Sequence, residues 1–509
     1  MPGKLYLVGA GPGDPGLLTL KGRRCLEQAD VVVYDYLSNP QLLDHAPPGA
    51  ECHLVGKHGG GQRVEQDTIT ALLIDAARAG KTVVRLKGGD PCIFGRAGEE
   101  AAAAHAAGVD FEIVPGVSAA IAVPAYAGIP LTHREFASNV IFTTGYEYPS
   151  KLAPAVHWDE LARSGSTLVI LMTQRQLGAN MAKLIAAGLD PATPVAVIQW
   201  GTRAAQRTVV ATAATIGERA AAAAIGPPAI AVVGNVVTLR NTLNWYERKP
   251  LFGRRIVVTR PRRQAAAFAD RLEAWGAEII PFPTIETVPP ESFASLDDAV
   301  RRAASFDWVV FTSVNGVHAF FDRLRTLGTD VRDWHRARFA AIGPETARAL
   351  EATCVRVAVV PAEFRAEAVV SALARAGVSG CRVLLPRAAG ARSVLPDELR
   401  ALGATVEDVP TYRTVAPTTR AAGLETSLLR DGADLVTFTS SSTVHNFADA
   451  FAGRLHEAVG RAAVGCIGPV TADTARGYGL AVDIQPTEYT IPAFVEAIVA
   501  YFAARPRTD

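Results

Sequence analysis

The second half of this chain is written twice, and that bounds its fold more tightly than any other feature. GRRIVVTRP at 253–261 recurs as GCRVLLPRA at 380–388, FDWVVFTSVNGVHAFF at 306–321 as ADLVTFTSSSTVHNFA at 433–448, and RFAAIGPETARAL at 338–350 as AVGCIGPVTADTA at 463–475. The offsets are 127, 127 and 125 residues. A period of that length is domain-sized, so it predicts two globular lobes rather than a solenoid. Each copy reads strand, helix, strand, with Phe-Thr-Ser closing one later strand and Ile-Gly-Pro another, which suits a flavodoxin-like α/β sheet. The crossings between lobes are expected near TIETVPP at 284–290 and TYRTVAP at 411–417, so that 253–287 with 412–509 makes one lobe and 288–411 the other.

The first half alternates short Val/Ile/Leu-rich runs (KLYLVGA, ADVVVYD, KTVVRLKGGD, VDFEIVPG) with stretches of helical period such as LLTLKGRRCLEQ and DTITALLIDAARAG. That alternation predicts a mainly parallel α/β sheet over 1–118. A second α/β domain is expected over 119–245, with strands at NVIFTTG, STLVILM, PVAVIQW and PAIAVVGNVV, followed by a linker at 246–252.

A formal charge of +1 argues against nucleic acid as a partner, so any anionic ligand must be met by local Arg and Lys clusters. The six cysteines, Cys25, Cys52, Cys92, Cys354, Cys381 and Cys466, contain no CxxC pair, which points to reduced, mostly buried thiols rather than disulfides or a metal site. The apolar stretches Ile113 to Leu131 and Ala220 to Leu239 are interrupted by Pro115, Pro124, Pro130, Pro227, Pro228 and Asn235, so no membrane span is expected and the protein is read as cytoplasmic.

GPGDPG at 11–16 matches GxGxxG between a strand and a helix, but Pro12 and Pro15 each remove an N–H that a dinucleotide pyrophosphate would need. The second glycine cluster, RLKGGDPCIFGR at 85–96, follows a strand and so falls at the carboxyl end of a parallel sheet, where ligands bind. Alone, Gly88 and Gly89 are also consistent with a tight turn and Asp90 with an N-cap.

Taken with GAGPGDPGLLTL, ADVVVYDYLSN, VGK at 55–57, VPGVSAAIAVPAYAGIPLTHR at 114–134, LVILM at 168–172, QWGT at 199–202 and PAIAVVGNVV at 229–237, this cluster resembles the tetrapyrrole methylase family, with the match nearest to its uroporphyrinogen-III C-methyltransferases. The resemblance implies S-adenosylmethionine bound between two α/β domains. Cofactor contacts carry over to Pro12, Gly88, Gly89, Asp90, Ile93, Ser118, Ala119, Met172 and Gly201, a proton acceptor to Asp35 and a proton donor to Lys57. The implied substrate is rich in carboxylates, which makes Arg85, Arg96, His133 and Arg134 candidate clamps. One departure stands out: the family commonly has a His after the Gly that closes NVIFTTG, where this chain has Tyr146-Glu147-Tyr148-Pro149.

VVTRP at 257–261, FTSVNGV at 311–317, AIGPETA at 341–347, LLPRAAGARSVLPDELRALGA at 384–404, TYRT at 411–414, FTSSSTV at 438–444, CIGPVTA at 466–472 and PTEYTIPAFVEAI at 486–498 resemble uroporphyrinogen-III synthase. That family closes hydroxymethylbilane into a ring without a cofactor, which implies catalysis by constraint between closing lobes. N–H groups after each Phe-Thr-Ser are candidate carboxylate receptors, through Thr312, Ser313, Thr439, Ser440 and Ser441, although these residues also serve as helix caps. Tyr412 matches the family's tyrosine, and Arg260, Arg387 and Arg392 are further carboxylate candidates.

The expected protein is a bifunctional enzyme, a synthase that makes uroporphyrinogen III joined to a methyltransferase that methylates it twice to precorrin-2, for the siroheme or cobalamin branch. The resemblance further implies a homodimer through the methylase half. Two other readings are weighed against it: a nicotinamide-dependent oxidoreductase built on GPGDPG, and a tetrapyrrole-sensing module in the duplicated half.

Overall fold

The computed structural model describes residues 3–55, 64–146, 156–260, 262–284, 286–415 and 424–505. It divides into two compact units, Met1–Arg255 with Asp270–Ile279 and Val499–Asp509, and Ile256–Ala269 with Ile280–Ile498.

In the first unit, β1 (Lys4–Gly9), β2 (Val31–Tyr34), β3 (Glu51–Leu54), β4 (Thr82–Lys87) and β5 (Asp110–Val114) form a parallel sheet in the order β3-β2-β4-β1-β5. The chain leaves β1 toward β2 and leaves β4 toward β5, so the loops after these neighbouring central strands run to opposite sides, the arrangement that opens a crevice at the carboxyl ends. Helices α1 (Leu20–Glu27), α2 (Gln66–Arg78) and α3 (Ala97–Ala106) cover the sheet; α1 starts where Thr19 Oγ1 accepts the Gly22 N–H at 3.0 Å.

A second sheet, β6 (Val140–Thr144), β7 (Thr167–Leu171), β8 (Pro194–Gln199), β9 (Arg207–Thr212) and β10 (Ala229–Val233), runs β6-β7-β10-β8-β9 and is antiparallel except between β6 and β7. Helix α4 (Ala119–Tyr126) packs Ala120 and Val123 into its core against Val169, Ala196, Ile198 and Ile230.

The duplicated half supplies β11 (Arg255–Val258), β12 (Glu278–Pro281), β13 (Glu286–Val288), β14 (Trp308–Phe311), β15 (Arg338–Ala341), β16 (Val357–Val359), β17 (Arg382–Ala388), β18 (Thr405–Val415), β19 (Leu435–Phe438) and β20 (Ala463–Cys466). They sort into one sheet β12-β11-β19-β20 and another β13-β18-β17-β14-β15-β16. The first strand of each copy therefore pairs with the Phe-Thr-Ser strand of the other. The registers agree: Ile256 opposes Leu435 in one sheet, and Val383 opposes Trp308 in the other, each 127 residues from its counterpart. Phe282, Phe438 and Phe447 fill the core of the first sheet, and Phe311, Phe320 and Trp334 that of the second.

The expectation of mostly buried thiols fails. Cys25 and Cys466 are buried, but Cys52, Cys92 and Cys354 are exposed and Cys381 is intermediate. Cys52 lies on an edge strand, and Cys92 and Cys354 lie in turns, where small polarisable side chains are tolerated in water. Burial pushes the Cys466 thiol up to about 12, leaving it unreactive. Among the described residues no helix is long and apolar enough to cross a membrane.

Candidate active sites

The loops after β1, β4 and β5 meet at the crevice of the parallel sheet. Gly11 and Gly89 exchange backbone hydrogen bonds (2.7 and 3.2 Å), and Ala10 N donates to Lys87 O at 2.7 Å. The approach needs glycine: a Cβ on Gly116 would lie 2.4 Å from Gly89 O. Asp90 fastens the loop with both carboxylate oxygens, Oδ1 accepting from Cys92 N at 2.8 Å and Oδ2 from Gly116 N at 3.0 Å. Its first task is thus to shape the loop.

Ser118, buried, caps α4 by accepting from Ala120 N, and Ala119 N would lie 3.4 Å from a Cβ on Gly89. One turn further along α4, a Cβ on Gly201 would sit 2.3 Å from Val123 Cγ1, so the loop after β8 also reaches this helix. Asp14 ties the two α/β segments together: its N–H donates to Thr202 Oγ1 at 3.0 Å, and its Oδ2 accepts from Tyr126 OH at 2.6 Å. Ile93 and Met172 are large apolar side chains left 38% and 52% exposed, and Pro12 is half-buried. Left-handed backbone collects here at non-glycine residues, with φ of 54° at Phe94, 59° at Arg96, 55° at Met172, 48° at Trp200 and 68° at Thr202. Strain of that kind concentrates at functional sites.

The GPGDPG loop does not lead into a helix N-terminus. A 3-10 turn, Pro15–Leu17, follows it, α1 begins only at Leu20, and Arg203 lies over Gly13, within 2.8 Å of where its Cβ would stand. That geometry removes the dinucleotide reading.

Asp35 follows β2, two residues before Leu37, whose Cβ lies 3.0 Å from the Cβ position of Gly88; this sets Asp35 beside the cofactor-loop candidates. Its Oδ1 accepts from Arg85 Nη2 at 2.5 Å, and its side chain is 31% exposed. Arg85, read from the sequence as a substrate clamp, is instead 2% exposed and also reaches Glu100. Buried Lys87 stands two residues on along β4, and burial, then the nearby Arg85 charge, pull its ammonium below the usual lysine range. Neither Lys87 nor Glu100 was singled out from the sequence. Glu100 lies in the alanine-rich run GEEAAAAHA, and the packing of α3 turns it inward.

Arg96 is N-terminal to α3 and exposed, and it pairs with Glu99. Arg134 is exposed with no carboxylate partner among the described residues, and His133 stacks on Phe136. Lys57, with Glu147, Tyr148 and Pro149, lies outside the described residues.

In the duplicated half, Ser313 and Ser440 are the N-caps of the helices Val314–Leu327 and Ser441–Ala450. Their side chains accept from Gly316 N and Thr443 N, so the capping role is met in both copies; Thr312, Thr439 and Ser441 flank them, all half-buried. Tyr412, on β18 and 8% exposed, places its OH 2.9 Å from Ser313 Oγ. Arg387 is 5% exposed and committed to Asp408 and the Arg392 carbonyl, which takes it away from any substrate. Arg260 is half-buried, and burial lowers its guanidinium below the ordinary range.

Residues 4–217 match the family model described as tetrapyrrole (corrin/porphyrin) methylases, and residues 266–496 the one described as uroporphyrinogen-III synthase HemD. The chain belongs to the tetrapyrrole methylases in its first half and to the uroporphyrinogen-III synthases in its second. Over almost its whole length it is similar to the porphyrin biosynthesis protein HemD of Ruminiclostridium josui, 36% identical over 478 residues and covering 94% of each chain. Its first half is similar to the S-adenosyl-L-methionine-dependent uroporphyrinogen III methyltransferase of Methanosarcina barkeri, 52% identical over 241 residues, 47% of this chain and 94% of the relative. Among solved structures, the Thermus thermophilus uroporphyrin-III C-methyltransferase with S-adenosylhomocysteine is 38% identical (TM-score 0.40, covering 46% of this chain and 93% of that one). The uroporphyrinogen III synthase of the same organism is 22% identical (TM-score 0.39, covering 49% and 99%).

Proposed function

We propose that the chain is a bifunctional enzyme of tetrapyrrole synthesis. The second half closes hydroxymethylbilane to uroporphyrinogen III, with loss of water and inversion of the last ring, and the first half methylates that product twice to precorrin-2, in the siroheme or cobalamin branch. The observation that carries the reading is that both family matches fall on one chain in consecutive halves, so the product of one half is the substrate of the other.

S-adenosylmethionine is assigned to the first crevice, where Gly88 and Gly89 bring backbone close and Ile93 and Met172 leave apolar surface open to solvent; Pro12, Asp90, Ser118, Ala119 and Gly201 would be its other contacts. When bound, it supplies a methyl group on a sulfonium; its transfer to a pyrrole carbon breaks the S–C bond, leaves the electron pair on sulfur and makes the macrocycle a cation that must lose a proton. Asp35 accepts that proton; Arg85 holds one of its oxygens, and the side chain is partly exposed. Arg96 and Arg134, both exposed, meet substrate carboxylates. Lys57 keeps the proton-donor role that the family resemblance implies.

In the second half the substrate's carboxylates are received at the two Phe-Thr-Ser helix starts, by Thr312, Ser313, Thr439, Ser440 and Ser441 with Arg260 nearby in sequence to β11. Tyr412 hydrogen-bonds the departing hydroxyl. The protein works as a cytoplasmic homodimer joined through its methylase half, which sedimentation of the full chain tests. The activities are tested by supplying hydroxymethylbilane with and without S-adenosylmethionine and separating products by chromatography and mass. The type III isomer is expected without the cofactor and a doubly methylated species with it; failure of either product removes the corresponding half of the proposal.

A further inference from the structure

Four side chains form a row behind the crevice, Lys87, Glu100, Arg85 and Asp35, the first three buried and Asp35 partly open to solvent. Arg85 and Lys87 are alternate residues of β4 and so point to one face of the sheet. Glu100, from the first turn of α3, has no exposed side-chain surface and accepts from Arg85 Nε at 3.2 Å, from Lys87 Nζ at 3.0 Å through each oxygen, and from Gln66 Nε2 at 2.9 Å. Arg85 also donates to Val33 O, Leu86 O and Asp35 Oδ1. Four of its five N–H groups are thereby engaged inside the protein.

We infer that Glu100 is a positioning residue for methyl transfer, acting through Arg85 on Asp35; the inference rests on the reading of Asp35 as proton acceptor. At rest two carboxylates face two cations. When the methylated macrocycle gives its proton to Asp35, that carboxylate becomes neutral, and the buried guanidinium and ammonium are left with Glu100 as counter-charge. A buried cation with no counter-charge is strongly disfavoured, so without Glu100 the row resists the very protonation the reaction requires. Glu100 therefore both fixes the fork that aims Asp35 and leaves the buried cations a counter-charge once Asp35 has taken the proton, acting without itself touching cofactor or substrate.

The test measures methylation at saturating uroporphyrinogen III and S-adenosylmethionine, with S-adenosylhomocysteine binding by calorimetry, for Glu100→Gln, Glu100→Asp, Asp35→Asn and the Asp35→Asn/Glu100→Gln pair in the full chain. Glu100→Gln is expected to lower kcat about 10- to 100-fold while the Kd for S-adenosylhomocysteine stays within about twofold. Glu100→Asp, which keeps the charge, recovers part of the loss. The double variant is no slower than Asp35→Asn, because Glu100 acts through Asp35. Wild-type kcat in Glu100→Gln, or losses that multiply in the double variant, overturns the inference while leaving Asp35 as acceptor; wild-type kcat in Asp35→Asn overturns both. Should Glu100→Gln lose S-adenosylhomocysteine binding altogether, Lys87→Met/Glu100→Gln, which leaves Arg85 and Asp35 in balance, carries the same comparison under the same criteria.

Discussion

Ser313 Oγ lies 2.9 Å from the phenolic oxygen of Tyr412 and accepts the Gly316 N–H at 3.0 Å, so one hydroxyl both caps a helix and fixes the tyrosine. Tyr412→Phe removes the phenolic oxygen proposed to hydrogen-bond the departing hydroxyl but keeps the ring. Cyclisation should slow by about 10- to 100-fold without stopping, since constraint of the open chain remains. Ser313→Ala should slow it less and cost the protein about 1 kcal/mol through the lost cap. Stopped-flow product formation and urea midpoints separate the two effects; an unchanged rate in Tyr412→Phe would remove the tyrosine from the reaction.

Asp90 holds the Gly88-Gly89 loop by accepting from Cys92 N and Gly116 N. Asp90→Ala frees both donors and should cost most of the methylation rate, while cyclisation by the same preparation continues. Asp90→Asn, which keeps one good acceptor, is expected to be intermediate. Loss of both activities in a folded variant would contradict independent sites.

Gly201 has no room for a side chain, since a Cβ would meet Val123 Cγ1 at 2.3 Å. Gly201→Ala must push α4 away from the β8 loop, and overpacking of that kind costs about 1–3 kcal/mol. The expected result is a loss of S-adenosylhomocysteine affinity of at least about tenfold by calorimetry. Unchanged affinity would detach this loop from the cofactor.

Glu407 on β18 receives Arg302 and Arg382, and the hydrogen bonds from Arg302 are the largest cause holding its carboxyl below the usual range. A depressed carboxyl contributes stability that is complete above its unfolded value, about 4.3, and is lost as pH falls through the lower folded value. Glu407→Gln should therefore be less stable than the parent at pH 7, by about 1 kcal/mol for a partly exposed network, with the gap closing at pH below about 4. Urea titrations at the two pH values check the sign; a gap that widens in acid would reverse it.

Fold class was legible because it is carried by apolar runs and by repetition, both of which one sequence displays. KLYLVGA, ADVVVYD and KTVVRLKGGD read as strands, and β1, β2 and β4 are there. The strands left out, β3 (ECHL) and β9 (RTVVAT), are sheet edges, the first largely solvated and the second only half-buried, so their apolar residues are too few and too mixed with polar ones to mark a buried strand. The site divides the same way. Glycine loops betray themselves by composition, but a charge gives no sign of which way it faces: Arg85 and Arg387 read as open clamps and are buried ion-pair partners, while nothing in the alanine-rich run around Glu100 marks it as buried.

The exchanged pairing of the duplicated half has a consequence during synthesis. The inner sheet draws its strands from an unbroken stretch, Glu286 to Val415, and can close as soon as that stretch has left the ribosome, whereas β11, made earlier, waits for β19. Until the chain has been extended as far as Leu435, the outer lobe consists of two strands offering open edges, the condition under which nascent proteins associate wrongly. A stalled or shortened chain ending before that point would thus release a closed inner sheet beside one half-made sheet, a natural target for chaperones or proteases.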